Sequence, residues 1–382
     1  MMIGVLLGII FGAIAGLIPG LHINNFALIF QNLPVDFDFL LFFILSLGIT
    51  QTFLDFIPSI FLGIPANETY ESLLPGHRLF IAGQGYKAII LTVFGGVFAL
   101  IISCLILPFF ILFIQTYKYS FPLIIPLLLI FTLVILIFKK NTLLNFFVVL
   151  FAGYQGLIFP DQIFPLICGY FGLASIIYSL NEKNKFYPQS YFCDFNFTYI
   201  KFSLIGVVGG LIVAIFPAIG SNIAASIIRI FSNAFKTEEY LVILGAINTA
   251  NFFFSFFVFY YLEKARNGAI LVLMDKLIFT ENYLFFGLIV LLFSGFVAAL
   301  LTILIAKIFL TNLKKINIYK LSKLIILFMV ILVFLFNGFI GLITLFFSTI
   351  LGLFTLSKNI NRSCLMASLI IPVLFYYIFL FI

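Results

Sequence analysis

The chain has 382 residues, 64% of them apolar and only 9% charged, with a formal net charge of +7 and a mean hydropathy of +1.30. Soluble domains carry roughly 25% charged residues, so a soluble globular protein is excluded. The positive balance does not point to nucleic acid, because Lys and Arg fall in short joints between apolar runs, where they set membrane orientation.

In chain order, the first apolar helix is predicted near 2–18, is broken at Pro19-Gly20, and is followed by a shorter arm near 21–33. Asp36 and Asp38 mark a turn to water. A long run covers 39–64, a polar loop 65–86, and four spans lie near 87–115, 120–138, 142–159 and 162–180. A connector at 181–201 carries Glu182, Lys183 and Lys185. The order then repeats: a broken helix at 203–233, a long run at 239–262, a polar stretch at 263–282, and spans near 283–311, 321–337, 338–357 and 364–382. Most runs are long enough to cross a hydrocarbon core of about 30 Å, and they lack the alternation of a barrel.

The repetition is visible residue by residue. At an offset of 198, Pro19 falls on Pro217, Asn24 on Asn222, Gly8 on Gly206 and Gly12 on Gly210. Carried further at that offset, Ile49 falls on Ile247, and Phe253 takes the position of Asp55. Glycine at positions 4, 8, 12, 16 and 20 reads as a close-packing ladder. Ala13-Ile14-Ala15 resembles a signal-peptide cleavage site, but no basic segment precedes it and the pattern recurs deep in the chain, so it is expected to be structural.

Lys139-Lys140 joins two spans of the first half where Asn337-Gly338 joins their counterparts, and Pro160-Asp161 stands opposite Lys358 to Arg362. Positive joints matched to neutral or acidic ones predict oppositely inserted halves, with the N-terminus outside and the connector in the cytoplasm. The expected fold is an all-α polytopic membrane protein. It has two inverted repeats (1–180 and 202–382, connector 181–201), each a re-entrant broken-helix hairpin plus about five transmembrane helices.

The chemistry concentrates at the breaks. Proline ends the preceding helix, and the next begins with unpaired N–H groups and a positive dipole end. Pro19, Gly20, His22, Asn24 and Asn25 in one half, and Pro217, Gly220, Ser221 and Asn222 in the other, are therefore candidate anion-binding residues. Thr50, Thr52, Asn248, Thr249 and Asn251 lie in the long runs, where polar groups at membrane depth must face a cavity or a partner helix. Asp55, an acid in an apolar span, is the candidate for coupling to Na⁺ or H⁺; no cofactor is expected. Arg78 and Arg266, in the two polar stretches, are candidates for attracting an anion.

Enzyme signatures are missing. The two histidines, His22 and His77, cannot form a His-based zinc site, and neither a His-Glu-x-x-His run, a Gly-x-Ser-x-Gly element nor a Walker-type loop occurs. The scattered Cys104, Cys168, Cys193 and Cys364 suggest packing. An intramembrane enzyme or lipid-handling protein is the alternative; its only plausible reactive pair is Asp55 with His22.

Gly16-Leu17-Ile18-Pro19-Gly20-Leu21-His22, Leu74-Pro75-Gly76-His77, Pro217-Ala218-Ile219-Gly220, Asn248-Thr249-Ala250-Asn251 and Lys264-Ala265-Arg266-Asn267-Gly268 resemble the large permease subunit, TctA, of tripartite tricarboxylate transporters. Gly169-Tyr170-Phe171-Gly172 and Leu365-Met366-Ala367-Ser368 extend the resemblance over nearly the whole chain. The resemblance implies ion-driven uptake of a carboxylate in the plasma membrane, with a small membrane subunit and an extracytoplasmic binding protein as partners and a homodimer as a possible assembly. It also implies substrate contact at Pro19–Asn25 and Pro217–Asn222, with His22 standing where many members have glycine.

Overall fold

The computed structural model describes residues 2–18, 23, 26, 35–62, 70–117, 121–138, 142–179, 188–192, 196–215, 221, 224–225, 228, 235–262, 268–273, 281–312 and 318–381. Among them, every regular element is helical. The elements are α1 (Met2–Leu17), α2 (Phe37–Leu54), α3 (Phe56–Leu62), α4 (Tyr70–Ile81), α5 (Gly85–Tyr117), α6 (Phe121–Ile137) and α7 (Thr142–Ile158). Then come α8 (Ile163–Ile167), a π-helical turn (Cys168–Leu173), α9 (Ala174–Ser179), α10 (Tyr199–Ile215), α11 (Thr237–Leu262), α12 (Gly268–Leu271) and α13 (Glu281–Asn312). The chain closes with α14 (Ile318–Ser357), a 3₁₀ turn (Arg362–Met366) and α15 (Ala367–Phe381).

Among the described residues, five segments are long and apolar enough to cross a membrane: Phe37–Leu62, Gly85–Tyr117, Thr237–Leu262, Asn282–Asn312 and Ser322–Ser357. Two of them differ in kind. Phe37–Leu62 and Thr237–Leu262 have 94% of their most apolar window buried in protein, against 33% or less for the other three. They form the centre of the molecule, so their polar groups must be satisfied by neighbouring helices rather than by lipid.

Close helix packing sorts the described elements into two bodies. One contains α1–α5 and α10–α13; the other contains α6–α9, α14, the 3₁₀ turn and α15. Each draws on both halves of the sequence. Among the described residues backbone contact between the bodies is sparse, while buried side chains of both join one apolar cluster and Leu62 packs against Cys168, Leu173 and Met329.

The glycine ladder explains how the first body closes. A Cβ on Gly8 would lie 2.5 Å from the Phe43 carbonyl oxygen, and one on Gly12 would lie 2.5 Å from that of Leu47, so α1 rests directly on the α2 backbone. In the second half Gly206 abuts Ile243 and Gly210 abuts Ile247 in the same manner, at 2.7 and 2.8 Å. Phe43 therefore matches Ile243, and Leu47 matches Ile247. Within the long helices the equivalence is 200 residues, a correction of two to the sequence offset, because the second half has two more residues between its helices. This pairs Gln51 with Asn251 and Asp55 with Ser255, rather than Asp55 with Phe253.

The two long helices run antiparallel where they cross. Gly48 packs against the Phe252 ring, Thr52 meets Asn248 and Thr249, and Asp55 meets Asn248, so one number rises as the other falls. Gly48–Phe252 and Thr52–Asn248 are the same contact seen from either half. The relation extends outward: Gly95 of α5 abuts Ala246, and at the matching place Ser294 of α13 hydrogen-bonds Ser46 at 3.0 Å.

Several expectations need correction. The polar loop 65–86 contains α4, whose Gly76 and Phe80 face α3; His77 Nδ1 lies 2.9 Å from the Ile60 carbonyl and stacks on Phe80. Pro75-Gly76 signals a turn locally, but tertiary packing overrides it. The connector's last residues belong to α10, and Ser190 and Gln189 bind Gly83 and Gly85 across the α4–α5 turn. By contrast, the spans expected at 321–337 and 338–357 are present as two helices that meet at a sharp kink at Gly338 (φ 61°, ψ −153°) within α14. Arg362 is not a solvated joint charge. It is buried and donates from Nη2 to the carbonyls of Tyr170, at 2.7 Å, and Phe171, at 3.3 Å, in the π-helical turn.

Candidate functional site

The long run of the first half breaks at Asp55. Pro58 has no N–H to offer the Leu54 carbonyl, and its ring crowds that carbonyl, so α2 stops at Leu54 and α3 restarts at Phe56. Asp55, the C-cap of α2, is 4% exposed and sits at the negative end of that helix. α11 carries no proline and continues unbroken through the equivalent position.

Around the break the two halves interlock. Asn248 Nδ2 donates to the Thr52 carbonyl at 3.1 Å and approaches the Asp55 oxygens at 3.2 and 3.4 Å. The Thr52 hydroxyl donates to Ile49 at 2.8 Å and lies 3.5 Å from the Thr249 hydroxyl. Thr249 is held against Gly96 of α5, where a Cβ would fall 2.8 Å from its Oγ1. Asp55, Thr52, Asn248 and Thr249 thus form one buried cluster built from both halves.

A second chain of hydrogen bonds lies one turn along α11. Asn251 Nδ2 donates to Ser221 Oγ at 3.3 Å, and Ser255 Oγ donates to the Asn251 carbonyl at 2.7 Å. Ser221 belongs to the second broken-helix region and is 2% exposed. Ser255 is a participant that the sequence analysis does not single out; its spacing of four from Asn251, which puts both on one helix face, was the available signal.

Thr50 does not join either cluster. It is fully buried, its Cβ lies 2.8 Å from where a Gly12 side chain would begin, and among the described residues its hydroxyl has no hydrogen-bond partner. Its role is in the α1–α2 contact. Pro19, Gly20, His22, Asn24, Asn25, Pro217, Gly220 and Asn222 lie outside the described residues, as does Arg266; Arg78 is exposed on α4. Among the described residues, no group of three or more His, Cys, Asp and Glu side chains is placed to hold a metal.

Each long helix begins with an acid clasped by the other half or a neighbouring helix. Asp38 accepts from Tyr283 of α13 at 2.8 Å. Its equivalent, Glu238, pairs with Lys87 of α5 and accepts from Tyr199 of α10, both at 2.5 Å. Because α2 and α11 are antiparallel, these clasps close opposite ends of the first body.

Three comparisons bear on the identity of this arrangement. The family model described as "Tripartite tricarboxylate transporter TctA family" matches residues 2–367. A protein of Methanocaldococcus jannaschii, named only as uncharacterized, is 29% identical over 262 residues, spanning 65% of this chain and 66% of its own length, just under two thirds. No solved structure matches. A multi-pass helical chain matched almost end to end by this family model belongs to the TctA family of tripartite tricarboxylate transporters, membrane-transport components and not enzymes.

Proposed function

We propose that the protein is a secondary-active permease for a small organic anion, a carboxylate, coupled to Na⁺ or H⁺. The observation that carries this reading is the polar cluster of Thr52, Asp55, Asn248 and Thr249 at the crossing of the two most buried helices. Polar groups at that depth, contributed by two matched halves, are the arrangement by which carriers hold a ligand near the bilayer midplane.

In this reading the anion binds at the paired breaks. Asn24, Asn25, Ser221 and Asn222 supply neutral donors to it, and Asp55 exchanges the coupling ion. The first body carries the site, and its sparse contact with the second suits an elevator-like displacement of one past the other. The halves are inserted oppositely, with the Glu238 end of the first body, near Lys87, Lys201 and Lys236, in the cytoplasm. The membrane is the plasma membrane. A small membrane subunit and an extracytoplasmic binding protein are the partners that tripartite membership suggests, with a homodimer as the assembly.

Uptake of labelled citrate, malate and succinate into proteoliposomes under imposed Na⁺ and H⁺ gradients tests the proposal. Asn24→Ala and Asn222→Ala should each abolish uptake, and Asp55→Asn should make it independent of the ion gradient. Normal gradient-driven transport by all three variants would sink the site assignment; no uptake by the wild type would sink the carrier reading.

A further inference from the structure

We infer that the connector between the halves is a membrane-interface anchor, with Phe192 and Phe197 inserted among the phospholipids of the bilayer surface instead of standing in water. Only the membrane crossing of α5 and α11 is required, not the carrier reading.

Three helices that start together fix the depth of the connector. α5, α10 and α11 begin at Gly85, Tyr199 and Thr237, and Glu238 ties their first turns by pairing with Lys87 and accepting from Tyr199. α5 and α11 are membrane-crossing segments that run inward from this point. Residues 188–192 are strapped across the same edge. Ser190 N donates to the Gly83 carbonyl at 2.8 Å, while Gly85 N donates to Gln189 Oε1 and Gln189 Nε2 to the Phe80 carbonyl, both at 2.9 Å. The Tyr191 ring lies 5.5 Å from that of Tyr86. The strap therefore sits where the apolar runs begin, at headgroup depth.

What it presents there is apolar. Phe192 is 74% exposed and Phe197 73%. Ile200 N donates to the Phe197 carbonyl, so the helical spiral of α10 already starts at Phe197. At that spacing Phe197 and the exposed Lys201 continue the outer stripe of Leu204, Val208 and Ile212, which are 46%, 51% and 42% exposed. Lys201 marks the boundary, its ammonium 4.8 Å from the centre of the Phe202 ring, and Lys236 is exposed at the start of α11. Aromatic rings and lysines at the end of a lipid-facing stripe form an interfacial belt, in which the rings lie among the lipids and the ammonium groups meet the phosphates. Irregular backbone is tolerated at this depth because its donors are served locally: Phe192 N donates to Ser190 Oγ at 3.2 Å and Thr198 N to Asn196 Oδ1 at 2.9 Å.

The chain contains no tryptophan, so Phe192→Trp and Phe197→Trp each introduce a single fluorophore. Each full-length variant is reconstituted into vesicles of mixed phosphatidylcholine and phosphatidylglycerol, with Leu204→Trp, about 10 Å further along α10 than Phe197, as the reference in the hydrocarbon. Both connector variants should show blue-shifted emission and resist aqueous iodide. They should lose more intensity to lipids brominated near the headgroups than to lipids brominated deep in the chains, and Leu204→Trp should show the reverse preference. Iodide quenching of either connector variant without bromine quenching would overturn the anchor and leave a solvated loop. Protection of either from both quenchers would also overturn it, because protein, a second copy of the chain included, would then cover the surface. Should Phe192→Trp fail to fold, Tyr191→Trp beside it reads the same depth.

Discussion

Asn248, on a helix from the second half of the chain, donates to Asp55, on a helix from the first, with its amide nitrogen 3.2 and 3.4 Å from the two carboxylate oxygens. The same nitrogen lies 3.1 Å from the Thr52 carbonyl, so a single carboxamide bridges the carboxylate and the end of α2. Asn248→Ala should destabilise the purified protein by about 2 kcal/mol, because a buried carboxylate and a carbonyl lose their donor together. Thermal unfolding in detergent measures it. Asn248→Asp should be worse, since it places a second carboxyl against the first; equal stability of Asn248→Asp and wild type would refute the contact.

The α1–α2 interface leaves no space for a side chain. Gly12→Val should lower stability by about 1–3 kcal/mol or prevent assembly, because its Cβ would start 2.5 Å from the Leu47 carbonyl oxygen. Gly338→Ala faces nothing within 4 Å but has φ 61° and ψ −153°, a region essentially reserved for glycine, so its penalty of about 1–3 kcal/mol should be conformational alone. Comparing the unfolding temperatures of the two variants separates packing from backbone strain.

Arg362 serves the second body as Asn248 serves the first. Arg362→Met should destabilise by about 2 kcal/mol, because two carbonyls of the π-helical turn lose a charged donor. Arg362→Lys should recover only part of this, having a point charge in place of a planar fork. Wild-type melting of Arg362→Met would show that the turn holds without it.

The Lys87–Glu238 pair is partly exposed, with side-chain accessibilities of 17% and 31%. Lys87→Gln should therefore change stability by about 1 kcal/mol or less, and by less again at high salt. A loss of several kcal/mol would mean that the clasp is far better shielded than its exposure indicates.

Orientation has a direct readout. Cysteines at 140 and 361 should be labelled from the same side of the membrane, in the cytoplasm, by impermeant thiol reagents. Labelling from opposite sides would contradict the inverted arrangement of the halves.

Composition and hydropathy alone determined that this is a helical membrane chain, because a run of apolar residues satisfies its backbone within lipid in few ways. The spans and the glycine ladder were equally legible, since each follows from local stereochemistry. Partnership was not. That Asn248 meets Asp55 while Thr50 meets Gly12 depends on which face of each long helix looks toward which neighbour, and no local property encodes that. The same holds for Arg362, which reads as a surface charge until the π-helical turn supplies its carbonyls, and for α4, where a Pro-Gly pair reads as a turn until α3 packs on it. The register of two hundred residues, and with it the pairing of Asp55 with Ser255, came only from backbone contact across α1–α2 and α10–α11. Packing in three dimensions counts residues between helices, and a linear alignment anchored on one motif does not.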